Sequence, residues 1–286
     1  MNISLIIPVK DDYENFTKTF NASTQQSKLP KEIIIVDSSI NNNIKKYIDN
    51  FQTEIIIKYF KVTNKYPGEA RNFGISHSKC ELIAFLDSKT TPSHQWLSNY
   101  YDKIIYDDFD IVFGTTIYTY DNSFQKKIRA ATFGNILHIT TPGTLLKKKI
   151  LLNDNYFIEK VRTADDLEWR ERLIKKNYKI FFHKKKYLNY KSLPKNYFDL
   201  LKRYFIYSFH TAQVNVDNKI KFLYLFLFTV FLLLVTPRWN QYIPEWNDSH
   251  PLYINNHLKI FFLLILSSFI SIILIQNINF IRIKYL

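Results

Sequence analysis

Glu32-Ile33-Ile34-Ile35-Val36-Asp37 places four β-branched apolar residues in a row and closes them with an acid. A strand with one wet face alternates apolar and polar residues. A run without alternation is apolar on both faces, as in a parallel sheet covered by helices on each side. The same reading extends outward to Ile3-Ser4-Leu5-Ile6-Ile7-Pro8-Val9, to Ile55-Ile56-Ile57-Lys58-Tyr59-Phe60 and to Leu82-Ile83-Ala84-Phe85-Leu86-Asp87. Between these runs Tyr13–Gln26, Asn42–Phe51 and Glu69–Ser78 read as helices. Strands alternating with helices predict an α/β fold, a Rossmann-like, mostly parallel sheet with flanking helices. Ligands of such sheets bind beyond the carboxyl ends of the strands. Asp37 and Asp87 both stand at such ends.

Residues 116–215 are less regular. Tyr118-Thr119-Tyr120 reads as the end of a strand and Thr141-Pro142-Gly143-Thr144 as a turn. Asp166–Lys176 reads as a helix with Thr163 as its cap, Lys179–Phe182 as a strand, and Leu200–Gln213 as an aromatic, basic helix. Beyond residue 215 the character changes. Phe222–Val235 is apolar except for Thr229 and stops at Pro237 and Arg238, and Ile260–Ile275 carries only Ser as polar members. Runs that are apolar all round, rather than striped, predict a membrane-associated helical hairpin over 216–286. Trp239, Tyr242, Trp246 and Tyr253 would lie in the interfacial belt between the two runs. The predicted organisation is one catalytic domain, 1–215, with a nucleotide-binding half over 1–115 and an acceptor half over 116–215, followed by the hairpin.

The formal net charge of +14 implies an anionic partner. Nucleic acid is set aside, because the charge is spread out and no recognised nucleic-acid module is present. A single cysteine, Cys80, excludes a disulfide framework or a cysteine-built metal site within one chain. The first residues lack a basic n-region and a cleavage site, so the first domain is expected on the cytoplasmic side of a membrane.

Three clusters carry chemistry. Asp37 and Asp87, at one edge of one sheet, suit a base N–H or ribose hydroxyls. Gly68-Glu69-Ala70-Arg71-Asn72-Phe73-Gly74-Ile75 offers Arg71 as a cation for a diphosphate. Asp165-Asp166-Leu167-Glu168 pairs adjacent carboxylates, whose mutual repulsion raises one pKa and suits a general base.

Taken in order, Ile6-Ile7-Pro8-Val9, Ile35-Val36-Asp37, Ala70-Arg71-Asn72-Phe73-Gly74-Ile75, Ala84-Phe85-Leu86-Asp87-Ser88, and Asp165-Asp166-Leu167-Glu168 with Arg172 resemble the family 2 glycosyltransferases of the GT-A fold, over about residues 1–210. The resemblance implies a nucleotide-sugar donor, a lipid-linked or surface-polysaccharide acceptor, and inversion at the anomeric carbon. Pro8 and Val9 would line the nucleotide pocket, Asp37 would bind the base and Arg71 would lie near the nucleotide. Asp87 would contact the ribose or a metal, and Asp166 would be the catalytic base, with Asp165 in the place of the motif's Glu. Residues near Thr141–Thr144 would face the acceptor. The family's Asp-Ser-Asp is here Asp87-Ser88-Lys89. The usual divalent cation, Mn or Mg, would keep Asp87 as a ligand and lose its second acid, and Lys89 would meet the diphosphate instead. A catalytically inactive nucleotide-sugar-binding membrane scaffold is the alternative that Lys89 raises.

Overall fold

A computed structural model describes residues 1–152, 155–191, 193–216, 218–241 and 253–264. In chain order the first unit holds β1 (Ile3–Val9), α1 (Tyr13–Thr24), β2 (Glu32–Asp37), α2 (Asn43–Asp49), β3 (Ile56–Lys61), α3 (Pro67–His77) and β4 (Leu82–Phe85). It continues through β5 (Thr90–Pro92), α4 (Trp96–Ile105), β6 (Ile111–Tyr118), α5 (Ser123–Ile128), a π-helical turn (Arg129–Phe133) and β7 (His138–Lys147). It ends with α6 (Asp165–Ile174), β8 (Ile180–Phe182), β9 (Leu188–Tyr190) and α7 (Tyr197–Gln213).

The apolar runs form strands for the expected reason. Ile33, Ile34, Ile35 and Val36 of β2 are all fully buried, and alternate residues serve opposite faces. Ile33 and Ile35 join Leu5, Ile7 and Ala84 in a cluster under α1, α2 and α4. Ile34 and Val36 join Ile6, Ile83 and Phe85 in a second cluster under α3 and α6, which contribute Ala70, Ile75, Trp169 and Leu173. A Cβ on Gly74 of α3 would come within 2.5 Å of the Ile6 side chain, so glycine there lets α3 lie close on β1.

The strand order is β3-β2-β1-β4-β7-β6-β9-β5, with β8 also beside β6. The chain runs outward from β1 to β2 and β3, and then returns to place β4 on the other side of β1. The α1 and α2 crossovers cover one face and α3 the other, so the connections part at the carboxyl ends of β1 and β4 and open a crevice there. The expected mostly parallel sheet describes this half. Beyond β4 the sheet is mixed: β7 is antiparallel to both β4 and β6, and β5 is antiparallel to β9.

Two local expectations are corrected. Thr141–Thr144 is not a turn but the middle of β7. Its Pro and Gly sit at an irregularity where the β6–β7 register shifts between Val112 and Gly114. A strand tolerates proline at such a place because no ladder N–H is needed. A Cβ on Gly114 would stand 1.9 Å from the Pro142 carbonyl oxygen, and Gly143 has φ of +86°. Glycine therefore permits the bulge rather than ending the strand. The N-cap position of α6 is held not by Thr163 but by Ala164, in the left-handed region at φ 66° and without a side-chain capping hydrogen bond.

The chain divides into two compact units, Met1–Val216 and Asp217–Leu286. The second contains α8 (Asn218–Arg238), which takes in the first apolar run. Among the described residues no helix is long and apolar enough to cross a membrane. The side chains of 233–237, the linking residues 242–252 and most of the second run, from 265 on, lie outside the described residues.

Candidate active site

The crevice at the carboxyl ends of β1 and β4 is a cavity of about 260 Å³. Pro8 and Val9 form one wall, Ala70 and Arg71 of α3 another, and Asp87, Ser88 and Lys89 a third. The Asp87-Ser88-Lys89 loop is anchored from α1: the Thr19 hydroxyl donates to the Ser88 carbonyl at 2.8 Å, and the Ser88 hydroxyl donates to Asp12 at 2.9 Å.

Arg71 lines the cavity but is held by protein. One guanidinium nitrogen donates to Asp87 Oδ1 and the other to Asp165 Oδ2, each at 2.7 Å. Arg71 is only 2% exposed, and its Nε has no partner among the described residues. Burial opposes its charge, yet Asp87 and Asp165 outweigh burial and raise its pKa. One cation thus ties an acid after β4 to an acid at the start of α6.

Asp165 and Asp166 have parted roles because successive helical residues point about 100° apart. Asp165 turns inward and is 3% exposed. Burial pushes its pKa up to about 7, helped by Asp166 and Asp87 and opposed by Arg71. Asp166 is half-buried on the cavity wall, with Oδ1 accepting from the Leu167 N–H at 2.9 Å. Gly68 fits this junction: a Cβ there would meet the Ile158 carbonyl at 2.5 Å and Asp165 at 3.2 Å.

Lys89 projects its charge into the same cavity. Burial lowers its pKa, with Arg203 and Arg162 adding and Asp12 and Asp87 opposing. Lys10, Lys65 and Arg162 join it along the lining, so with Arg71 the cations outnumber the acids Asp87, Asp165 and Asp166 and the cavity favours an anionic ligand. The residues present do not fit a resident divalent cation. Asp87 gives one oxygen to Arg71, the ammonium of Lys89 stands two residues on, and no group of three or more His, Cys, Asp or Glu among the described residues is placed to hold a metal.

Asp37 is placed differently from the other predicted residues. It is fully buried, and its carboxylate accepts from the Ser39 N–H at 2.8 Å, the Tyr59 hydroxyl at 2.7 Å and the Lys61 ammonium at 3.3 Å. Burial and Asp37 together raise the Tyr59 pKa. From that strand end the cavity is lined by Ser38 rather than by Asp37.

A second cavity, of about 340 Å³, opens between β6, β7, β9 and α7. Its wall is aromatic, with Tyr118, Phe133, Tyr190, Tyr204 and Tyr207, and Thr140 and Pro142 come from the bulged stretch of β7. Burial, with Asp166 next, pushes the Tyr118 pKa up to about 12. Asp87, Thr163, Asp166, Tyr190 and Tyr207 line both cavities. Asp166 therefore stands in the wall that the two share. Tyr190 and Tyr207 escape sequence reasoning: β9 is three residues long, and nothing in an aromatic helix with three tyrosines singles out Tyr207.

The sequence model described as "Glycosyl transferase family 2" matches residues 4–161, more than half of the chain. Glycosyltransferase AglE of Haloferax volcanii is 27% identical over 196 residues, covering 63% of this chain and 64% of that protein. Chondroitin synthase of Escherichia coli is 26% identical over 173 residues, 59% of this chain and 24% of that one. The chain thus spans less than two thirds of the length of these relatives. Among solved structures, S. aureus TarS 1-349 in complex with UDP-GlcNAc matches with a TM-score of 0.55 at 18% identity, covering 82% of this chain and 67% of that one. Mannosyltransferase PcManGT from Pyrobaculum calidifontis, in complex with GDP-Man and Mn2+, matches with a TM-score of 0.52 at 15% identity, covering 68% and 58%. At these identities the likeness is one of fold.

Proposed function

The chain belongs to glycosyl transferase family 2, and from that premise we propose that it moves a sugar from a nucleotide-sugar donor to a lipid-linked or surface-glycan hydroxyl, with inversion at the anomeric carbon. The observation that carries this reading is Asp166 in the wall between a cationic cavity and an aromatic one. A general base for glycosyl transfer must reach the acceptor hydroxyl while the donor's reacting carbon lies on the other side of that hydroxyl.

In this reading the cationic cavity takes the nucleoside diphosphate and the aromatic cavity takes the acceptor. Asp166 accepts the hydroxyl proton as the acceptor oxygen bonds to the anomeric carbon. The bond from that carbon to the diphosphate oxygen breaks, and its electron pair leaves with the nucleoside diphosphate. Lys89 and the neighbouring cations oppose the charge that builds on the leaving group. Arg71 keeps Asp87 and Asp165 in place, and Ser38 meets the nucleoside beside the buried Asp37. No step is routed through a metal ion. The apolar runs beyond residue 215 motivate a membrane-held protein with this domain on the cytoplasmic side.

The test is release of nucleoside diphosphate from a panel of UDP- and GDP-sugars by the purified chain, with and without membrane lipid extract as acceptor. Stimulation by extract, abolished by Asp166→Asn, is expected. Donor binding without turnover under every condition would favour the inactive scaffold.

A further inference from the structure

We propose that α7 lies on an anionic lipid surface and presents the aromatic cavity to that surface. Helix α7 runs from Tyr197 to Gln213 without a single buried residue. At 100° per residue it has two faces of different use. Leu200, Arg203, Tyr204 and Tyr207 fall together and line the aromatic cavity. Phe198, Leu201, Phe205 and Phe209 fall on the opposite side and are 58–86% exposed. Three phenylalanines and a leucine in one stripe are far more apolar than scattered surface residues, and such a stripe implies an apolar contact surface.

Charge selects lipid as the occupant. Lys202 borders the stripe on α7, Lys195 precedes the helix by two residues, and Asp199 is the one acid in α7. Asp199 is held in the first turn, where its side chain accepts from Asn196 at 3.0 Å. Helix α5 extends the basic face. Its Phe124 ring packs 4.8 Å from Tyr197, and it carries exposed Lys126 and Lys127. An apolar stripe bordered by lysines suits an interface-plane helix, with rings at the acyl boundary and ammonium groups at anionic head groups. Such a helix would let an acceptor head group enter between β6, β7 and α7 while its lipid stays in the membrane. This orientation rests on the acceptor reading of the aromatic cavity, whereas the lipid contact itself does not.

The full chain suits site-specific labelling, because its one cysteine, Cys80, is buried. A polarity-sensitive fluorophore at Phe205→Cys, and separately at Leu201→Cys, is compared with one at Tyr106→Cys, which is 76% exposed just after α4. Vesicles of phosphatidylglycerol and phosphatidylcholine carry brominated acyl chains. The expected result is a blue shift and at least a twofold quench at 205 and 201, none at 106, and a much weaker response with phosphatidylcholine alone. Co-sedimentation with vesicles while 205 and 201 stay unquenched would overturn the proposal and assign membrane contact to another part of the chain. A label already shielded before lipid is added would also overturn it, assigning the face to a second copy if dilution exposes it and to another segment of this chain if dilution does not. Donor turnover in solution is measured on the same proteins, so failure of the lipid contact and failure of the transferase reading are read separately.

Discussion

Strands β3, β2, β1 and β4 lie parallel, and β2, β1 and β4 are buried on both faces, whereas β6, β7, β9 and β5 mix directions around a bulge. The first half offers short loops, fixed backbone ends and lysines, which suit a ligand of constant chemistry such as a nucleoside diphosphate. The second half offers tyrosines and a phenylalanine over an irregular strand. Side chains without a fixed hydrogen-bond lattice can change to suit different acceptors while the sheet beneath them stays intact. The boundary between the halves holds Asp87, Asp165 and Asp166, with Arg71 joining the first two.

The sharpest way to break this division is Asp166→Asn. The carboxamide keeps the shape and loses the proton acceptor, so transfer should fall roughly 10²–10⁴-fold. Donor affinity, measured by titration calorimetry, should hold within about a factor of three, which is under 1 kcal/mol. Loss of donor affinity with turnover intact would move Asp166 to the donor half.

Arg71→Met tests whether the halves are tied through one residue. It leaves Asp165 buried beside Asp87 without its cation, and above pH 7, where Asp165 is ionised in the folded chain, breaking a buried pair from one side costs about 3–5 kcal/mol. Urea melts should show a loss of that order. A loss below about 1 kcal/mol would mean that the packing of α3 and α6, rather than the ion pairs, holds the boundary.

Lys89→Ala probes the donor half. A charged hydrogen bond to the leaving group is worth roughly 1.5–3 kcal/mol, so turnover should drop about ten- to a hundredfold. Wild-type turnover should persist in chelator. Complete loss in chelator with recovery on adding manganese would show that a cation is required and that Lys89 does not replace it.

The last test reads pH dependence. Asp165 holds its proton to about pH 7 in the folded chain but only to about 4 when unfolded. Between those values the folded state binds more protons than the unfolded state, so stability falls as pH rises from about 4 to about 7 and is level above. Asp165→Asn should remove this part of the slope. Denaturant midpoints at pH 5 and pH 7.5 measure it, and an unchanged difference between the two would place the titration elsewhere.

How far the sequence could be read follows the same boundary. Residues 32–37 gave a strand with both ends correct, because an unbroken β-branched run has few other stable states. Arg71, Asp87 and Asp165 were visible as candidates, but their mutual contact was not: Asp165 lies 94 residues from Arg71 in the chain. Thr141–Thr144 misled because Pro-Gly is a turn signal locally, while its meaning here depends on Gly114, thirty residues away across a bulge. Asp37 read as a base-binding acid because a strand-end carboxylate tends to face ligand, and the neighbours that enclose it, Tyr59 and Lys61, come from β3.

Composition and order alone determined the buried parallel strands, the crevice at their carboxyl ends, and the resemblance carried by motifs within residues 6–88 and 165–172, since each is a local pattern of residue types. Only the tertiary structure decided which acids are available. Asp37 is enclosed, Asp165 is tied to Arg71 at the edge of the first cavity, and Asp166 stands where two cavities meet. Burial and pairing are properties of neighbours brought together across the sheet, and the free energy of a carboxylate depends far more on those neighbours than on the residues beside it in the chain.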